Sequence, residues 1–251
     1  MTSAVPRGDQ GAAGYAVNAQ YYAAIFPPDH RDAVVRGLRA VLPGTGSIVE
    51  IGCGTGLFTV ELLEHLGPGA ELFALEPSPV MRAAATTRLV DHPRAERVTV
   101  IPGDALSAPL PDDLAEVGAV VLLHVLTHLA PAERISVWRR HVPMLRAGGV
   151  LVVDPQWPQE PQDVPVDRWQ GRRLGRYRYD TEAAARTSGP GVVDWTMTYR
   201  TVDDRDRLVD EQTVTFPSHV VSRTTLDAEL AGHGLVAVEG IDEVWAWRRA
   251  R

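Results

Sequence analysis

The stretch VEIGCGTGLF, residues 49–58, joins a run of apolar residues to an amphipathic stretch. The residues before it, SIVEIG (47–52), are typical of a buried strand, and LFTVELLEHL (57–66) is typical of a helix. Gly52, Gly54 and Gly56 allow a tight turn and let a ligand come close to the backbone. The stretch therefore predicts a strand–loop–helix unit that binds a ligand at its loop.

The glycine spacing excludes two common phosphate-binding loops. A dinucleotide-binding loop follows the pattern G-x-G-x-x-G, but its last glycine would fall at Leu57 or Thr59. A nucleoside triphosphate loop needs a lysine, and all 25 basic residues of this chain are arginine. The same absence excludes a lysine Schiff base and a lysine general base.

Strands and helices alternate after the loop, a pattern typical of a parallel sheet. Further strands are predicted at ELFALE (71–76), RVTVIPGD (97–104), AVVLLH (119–124) and VLVVD (150–154). Helices are predicted between them, including residues 78–90, with Ser78 as the N-cap, and residues 131–145. Two more helices, at 15–26 and 29–42, are predicted before the first strand.

The pattern changes after residue 154. Residues 155–192 are rich in Pro, Gly and Arg, and the sequence predicts an irregular segment with at most one helix. A β-hairpin is predicted around the polar turn DDRDR (203–207). A helix at 223–234 and two adjacent strands at 235–249 complete the chain.

The E-x-G-x-G-x-G pattern, which begins at Glu50, resembles motif I of class I S-adenosylmethionine (SAM)-dependent methyltransferases. LRAGGVLVV (145–153) is similar to the family's passage into the fifth strand, and the resemblance covers residues 47–154. It implies an α/β fold with a Rossmann-like, seven-stranded, mostly parallel sheet in the order 3-2-1-4-5-7-6. An N-terminal helical segment and a hairpin-containing insertion after the fifth strand complete that expected fold. The lysine-free composition resembles that of small-molecule methyltransferases from actinobacterial specialised metabolism.

The resemblance implies a set of residues that bind SAM and release S-adenosylhomocysteine (SAH). Glu76 ends the second strand 24 residues after Gly52, where a carboxylate can accept hydrogen bonds from both ribose hydroxyls. Asp104 is expected at the adenine amino group and Ala105 along the adenine ring. The other predicted cofactor residues are Glu50, Gly52, Gly54, Gly56, Pro77, Met81, His124 and, at the methionine end, Tyr21, for which Tyr15 and Tyr22 are alternatives.

Two histidines are the candidate catalytic bases. Methyl transfer mainly requires orientation of the acceptor and exclusion of water, and some acceptors also need a base to remove a proton. His124 is predicted at the carboxyl end of the fourth strand, where α/β sheets place their ligands, and His128 follows four residues later. Either could instead be structural, and no metal site is predicted, because two histidines without a third ligand are weak evidence for one.

Composition also indicates which partners and which cellular location to expect. The net charge of −7 disfavours a surface devoted to nucleic acid. The single cysteine, Cys53, cannot form an internal disulfide. With no signal peptide and no run of about 18 apolar residues, the sequence predicts a cytoplasmic protein without membrane contact. It is compatible with a homodimer.

The chain is predicted to form a single methyltransferase domain. Its parts are an N-terminal cover at 15–46, the SAM-binding core at 47–154, an insertion at 155–222 and a terminal segment at 223–251. The insertion is the predicted substrate cover, with an apolar pocket lined by Trp157, Trp169, Tyr177, Tyr179 and Trp195. Its arginines could bind an anionic acceptor or RNA, or could be a solvated loop or a subunit contact; they are Arg168, Arg172, Arg173, Arg176 and Arg178.

The predicted function is transfer of a methyl group from SAM to an oxygen, nitrogen or carbon of a small-molecule acceptor, such as a natural-product intermediate. Three alternatives stay open. The chain could use the same fold for a cyclisation or rearrangement without methyl transfer. It could methylate a nucleic acid or a protein, although it lacks overall basic charge and an appended recognition module. It could also bind SAM without catalysis.

Overall fold

The structure, a computed structural model, describes residues 7–250, with side chains from residue 14 onward. The chain forms two compact units. Among the described residues, one unit consists of 7–28 together with Pro161–Ser218, and the other of Asp29–Glu160 together with 219–250. Within the described residues, no helix is long and apolar enough to cross a membrane.

The larger unit contains a seven-stranded sheet in the order β10-β11-β5-β4-β1-β2-β3. Neighbouring strands run parallel except around β11, which is antiparallel to both β5 and β10. The predicted order 3-2-1-4-5-7-6 is therefore confirmed, with β11 and β10 as the last two strands of the chain. The strands are β1 (Ile48–Ile51), β2 (Leu72–Glu76), β3 (Val98–Pro102), β4 (Val117–Leu122), β5 (Leu145–Val153), β10 (Leu235–Val238) and β11 (Trp245–Arg249).

The central strands are apolar on both faces. Every residue of β1, β2 and β4 is buried, as expected for parallel strands with helices on both sides. The core includes Trp138 and Trp247, which are almost fully buried. Because all the parallel strands end at one edge, the loops after them lie close together there.

Helices fill the connections, and most begin and end near their predicted positions. Ser78 caps α4, because its Oγ accepts a hydrogen bond from the Met81 N–H at 3.4 Å. The predicted 131–145 helix is shorter: α5 ends at His141, just before Pro143, which cannot donate the next helical hydrogen bond. The helices are α1 (Arg7–Ile25), α2 (Pro28–Val41), α3 (Thr59–His65), α4 (Pro79–Leu89), α5 (Pro131–His141) and α6 (Arg223–Ala231).

The smaller unit contains a four-stranded antiparallel sheet in the order β6-β7-β8-β9. Its strands are β6 (Val164–Leu174), β7 (Tyr177–Gly189), β8 (Val192–Val202) and β9 (Leu208–His219). The predicted hairpin is present as β8 and β9, but the prediction of an irregular segment before it was wrong. That segment forms β6 and β7, in which few large apolar side chains are buried.

The arginines of the insertion fall into two groups in this sheet, one in ion pairs and one exposed near a turn. Arg168 pairs with Glu182 at 2.6 Å, and Arg178 pairs with Asp180 and Asp206 at 2.8 and 2.9 Å. Glu182 also pairs with Arg200 at 3.1 Å, so ion pairs cross three neighbouring strands. The remaining three arginines, Arg172, Arg173 and Arg176, are exposed at or next to the turn between β6 and β7.

Candidate active site

The glycine loop leaves β1 at Ile51 and leads into α3. The Gly52 and Cys53 N–H groups donate to the Leu75 carbonyl at 2.8 and 2.9 Å, which attaches the loop to the end of β2. Gly52 and Gly54 have φ of +71° and +56°, a region that residues with a Cβ rarely adopt. A Cβ on Gly52 would lie 2.5 Å from the Val125 side chain, whereas one on Gly54 would meet no atom within 4 Å. The backbone at Gly54 therefore borders open space.

Glu76 lies beside this open space at the carboxyl end of β2. Its Oε2 accepts a hydrogen bond from the Gly54 N–H at 2.9 Å, and its Oε1 accepts one from the Ser78 N–H at 2.8 Å. Burial raises the pKa of this carboxyl, and the two N–H donors offset part of the rise. Each carboxylate oxygen can accept a further hydrogen bond. Glu76 is thus held in one orientation and keeps the capacity to bind two hydroxyl groups.

Two other predicted cofactor residues follow Glu76. Pro77 is exposed, and Met81 is buried in the first turn of α4. Arg82 donates to the Glu76 and Pro77 carbonyls, at 2.7 Å each. These contacts fix the backbone where β2 passes into α4.

Glu50 is buried in the middle of β1, and its Oε2 has no hydrogen-bond partner within the part of the chain that the structure describes. Burial raises its pKa to about 7, and the neighbouring Glu76 adds to the rise. Thr55 Oγ1, in the glycine loop, is also buried without a partner among residues 7–250. Unmet hydrogen-bonding capacity and open space at Gly54 fit a polar ligand such as SAM at this loop.

We expect a Glu50→Gln substitution to stabilise the ligand-free protein at alkaline pH. A carboxyl with a raised folded pKa favours folding below its ordinary pKa of 4.5 and loses that contribution as the pH rises through about 7. The glutamine side chain does not titrate. The free energy of unfolding of the variant, relative to that of the native protein, should therefore rise over that pH interval by about 3 kcal/mol. Urea unfolding of both proteins at acidic and alkaline pH measures it. Equal stability differences at both pH values would contradict the raised pKa.

Asp104 and Ala105 follow β3. Asp104 is exposed, and its Oδ1 accepts hydrogen bonds from the N–H groups of Leu106 and Ser107, at 2.8 Å each. Ala105 is buried, and its carbonyl lies 2.7 Å from His141 Nε2. The Asp104 carboxylate therefore closes its own turn, and its predicted contact with adenine stays a prediction.

His124 lies at the carboxyl end of β4, where it was predicted, in the left-handed region with φ of +58°. Its N–H donates to Asp154 Oδ1 at 2.8 Å, and its Nδ1 lies 3.4 Å from Asp154 Oδ2. Its ring lies 6.1 Å from the Phe58 ring and 6.2 Å from the His30 ring, measured between centroids. The structure thus brings together groups from the glycine loop, β4, β5 and α2.

Asp154 and His30 were not predicted as site residues. A signal for Asp154 was present, because an acidic residue directly follows the apolar run of β5 and β5 is the parallel neighbour of β4. His30 had no such signal, since it comes from a helix that precedes the whole sheet. His128 is exposed on a short 3-10 turn after β4.

Tyr21 lies in the smaller unit, where α1 packs on the four-stranded sheet. Its ring stacks on Tyr199 with 5.0 Å between centroids. Its hydroxyl donates to Asp210 Oδ2 at 2.9 Å and lies 3.2 Å from Thr201 Oγ1. The structure thus shows a packing role for Tyr21, and its predicted cofactor contact stays a prediction.

The predicted aromatic cover is distributed between the two units. Trp169 donates from Nε1 to the Ile25 carbonyl at 3.2 Å, and Tyr179 packs edge-on against Tyr21. Tyr177 is exposed beside the turn between β6 and β7, while Trp157 is exposed in the larger unit. Trp169 and Tyr179 therefore hold α1 on its sheet. Within residues 7–250 no group of three or more His, Cys, Asp or Glu side chains could hold a metal ion.

The sheet order, the glycine loop and the carboxylate that ends β2 define a Rossmann-like α/β fold, the class of fold that places its ligands at the carboxyl ends of the strands. Comparison with known families makes the class more specific. Residues 49–151 match the family model described as a methyltransferase domain. The match covers less than half of the chain and lies within residues 47–154, the part whose sequence resembles that family.

Individual relatives match only part of this chain. An uncharacterized methyltransferase of Bacillus subtilis, YrrT, is 34% identical over 119 residues, which are 47% of this chain and 48% of that protein. A dimethyladenosine transferase of Chaetomium thermophilum is 38% identical over 82 residues, 33% of this chain and 20% of that protein. The chain thus spans less than half the length of these curated relatives.

Several solved structures resemble the chain over nearly its whole length, and one of them illustrates the likeness. It is a SAM-bound amino pentose methyltransferase of calicheamicin biosynthesis from Micromonospora echinaspora, with a TM-score of 0.68 and 22% sequence identity. The alignment covers 100% of both chains. At this level of identity the likeness concerns the fold, and it confirms the predicted fold class.

Proposed function

We propose that this protein binds SAM at the glycine loop and transfers its methyl group to a small-molecule acceptor. The observation that carries the proposal is the Glu76 carboxylate, which is hydrogen-bonded to the Gly54 N–H at the edge of open space. That arrangement offers the ribose hydroxyls a buried double acceptor. The family match over residues 49–151 supports the same cofactor.

The chain itself has to supply only a small part of the chemistry. SAM supplies an activated methyl group on a sulfonium centre, so the protein does not need to activate the carbon itself. Glu76 accepts hydrogen bonds from the ribose hydroxyls, and Gly54, which has no side chain, leaves room for the ligand. Pro77, Met81, Asp104, Ala105 and Tyr21 are proposed cofactor contacts on the resemblance alone. His124 is the proposed base, and His128 is the second candidate.

The acceptor that we propose is an amino or hydroxyl group on a sugar-like or other natural-product intermediate. The whole-length likeness to an amino pentose methyltransferase supports this class. The net charge of −7 argues against an RNA acceptor. The likeness to a dimethyladenosine transferase makes an adenosine, such as those of RNA, the competing acceptor, although it covers 33% of this chain.

Release of SAH tests the proposal directly. The full chain is incubated with SAM and, in turn, amino sugars, their hydroxyl counterparts, phenols and structured RNA, and SAH is measured by mass spectrometry. We expect SAH with an amine or hydroxyl of low molecular weight. SAH with RNA alone would contradict the proposed acceptor class. An acceptor converted to product without SAH would show that the fold has a different reaction.

We expect a His124→Ala substitution to reduce turnover by about 100-fold, the lower range for the loss of a general base. SAM affinity should stay within about threefold, since ribose and backbone contacts do not involve this side chain. Turnover of the best acceptor and calorimetric SAM binding measure the two effects. The His128→Ala variant is the comparison, and we expect a smaller loss of turnover from it. Loss of SAM binding in His124→Ala would make His124 a cofactor residue instead of the base.

A further inference from the structure

The Asp154 carboxylate contacts both the backbone and the ring of His124. Asp154 Oδ1 accepts the His124 N–H at 2.8 Å, while Oδ2 lies 3.4 Å from Nδ1 of the ring. A residue with a Cβ seldom has a φ of +58°, and such conformations tend to cluster at functional sites. A carboxylate accepts hydrogen bonds and does not donate them. Asp154 therefore favours a backbone N–H and a ring N–H pointing toward it.

Asp154 is itself held firmly. It directly follows β5, whose residue Val153 is in register with Leu122 of the parallel strand β4. Its side chain is buried, and Gln156 Nε2 donates to its carbonyl at 2.7 Å. The carboxylate position is thus set by two central strands of the sheet.

The His124–Asp154 pair lies next to the glycine loop. Phe58, at the end of that loop, lies nearly parallel to the His124 ring, with an interplanar angle of 27°. The titratable groups that face His124 are Asp154 from β5, His30 from α2 and His128 from the 3-10 turn. Asp154 supplies a carboxylate to this group.

We propose that Asp154 is a positioning residue that keeps the His124 proton on Nδ1, so that Nε2 is the atom that accepts a proton from the methyl acceptor. The inference rests on the proposed function and makes it more specific. A base of this kind serves an acceptor that must lose a proton, namely a hydroxyl group or a protic amine. Acceptors without a removable proton do not need it.

The proposed step balances as follows. A lone pair on the acceptor nitrogen or oxygen forms the new bond to the methyl carbon. The carbon–sulfur bond breaks, and its electron pair stays on sulfur as SAH leaves. The acceptor proton moves to Nε2 of His124, which becomes an imidazolium beside the Asp154 carboxylate. Solvent takes the proton before the next turnover.

An Asp154→Asn substitution separates this role from a structural one. The new side chain has nearly the same shape, and its carbonyl oxygen can still accept the His124 N–H. Its amide then presents an N–H donor to Nδ1 and forces the ring proton to Nε2, where it blocks the base. Asp204→Asn, at an exposed carboxylate, is the matched control.

Two measurements on the full chain decide the proposal. ¹⁵N NMR of histidine-labelled protein at mildly alkaline pH, with the His124 signals assigned from a His124→Gln variant, should show the Nδ1–H form in the native protein and the Nε2–H form in Asp154→Asn. Turnover of the best acceptor from the SAH panel should fall about 100-fold or more in Asp154→Asn and stay unchanged in Asp204→Asn. SAM affinity should remain within about threefold in both variants.

Each outcome has a separate meaning. An Nε2–H ring in the native protein would overturn the inference without any variant, so a misfolded Asp154→Asn protein does not leave it undecided. Unchanged turnover in a folded Asp154→Asn protein would overturn it as well. A native protein that binds no SAM would overturn the proposed function, whereas the tautomer result would still stand.

Discussion

A Glu76→Ala substitution should weaken SAM binding by about a thousandfold while the protein stays folded. Two hydrogen bonds from ribose hydroxyls to a charged carboxylate contribute together about 4 kcal/mol, which corresponds to that loss of affinity. The substitution also leaves the Gly54 and Ser78 N–H groups without their acceptor, so the loop loses part of its support. Isothermal titration calorimetry with SAM and with SAH measures the effect.

The matched control is Glu71→Ala, which removes a carboxylate from the residue just before β2. Glu71 is exposed and lies at the opposite end of β2 from the glycine loop, so its removal should leave SAM affinity unchanged. We expect Glu76→Gln to fall between the two, because its amide keeps one acceptor oxygen. Equal SAM affinity in the native protein and in Glu76→Ala would remove Glu76 from the cofactor site.

A Glu229→Ala substitution should lower the free energy of unfolding by about 3 to 5 kcal/mol. Glu229, on α6, binds the Arg134 guanidinium of α5 through both carboxylate oxygens, at 2.9 and 2.6 Å, and accepts the Trp138 Nε1–H at 2.9 Å. Arg134 is 3% exposed, so the substitution would leave a buried positive charge without its partner. Differential scanning calorimetry and urea unfolding of the ligand-free protein measure the loss.

The double variant Arg134→Met with Glu229→Leu tests whether the buried charge is the cause. Apolar side chains of similar size remove the uncompensated charge, so most of the stability should return. A remaining loss of about 1 kcal/mol is expected from the unpaired Trp138 indole N–H. A double variant as unstable as Glu229→Ala would show that packing, and not charge, explains the effect.

The sequence was sufficient to predict the larger unit because its local signals agree with one another. The apolar runs of β1, β2 and β4 are buried along their whole length, and Ser78 begins α4 as its N-cap. The glycines of the loop have positive φ values, which fit the tight turn that they were predicted to allow. The order of the sheet came from the family resemblance, since short parallel strands do not specify their neighbours by pattern alone.

The smaller unit could not be predicted in the same way. In β6 only Val164 is buried, and arginine and glycine interrupt any alternation of apolar and polar residues. In β7 the buried positions are Thr181, Ala183 and Ala185, which are too small or too polar to mark a strand face. The sheet is instead supported by ion pairs and by α1, which are long-range contacts that a local pattern does not reveal.

The same limit applies to the site. The positions of Glu76 and His124 were predictable, because Glu76 ends the apolar run of β2 and His124 closely follows that of β4. Asp154 contacts His124 across 30 residues of the chain, and His30 approaches His124 from a helix that precedes the sheet. Their contacts with His124 follow from the neighbouring positions of β4 and β5 and from the packing of α2.

The central claim is that SAM binds at the glycine loop with its ribose on Glu76. A crystal structure of the full chain with SAH tests it most directly. We predict both ribose hydroxyls within hydrogen-bond distance of the Glu76 carboxylate, the ligand against Gly54, and His124 on the side from which the acceptor approaches sulfur. SAH bound elsewhere, or bound with its ribose away from Glu76, would contradict the account.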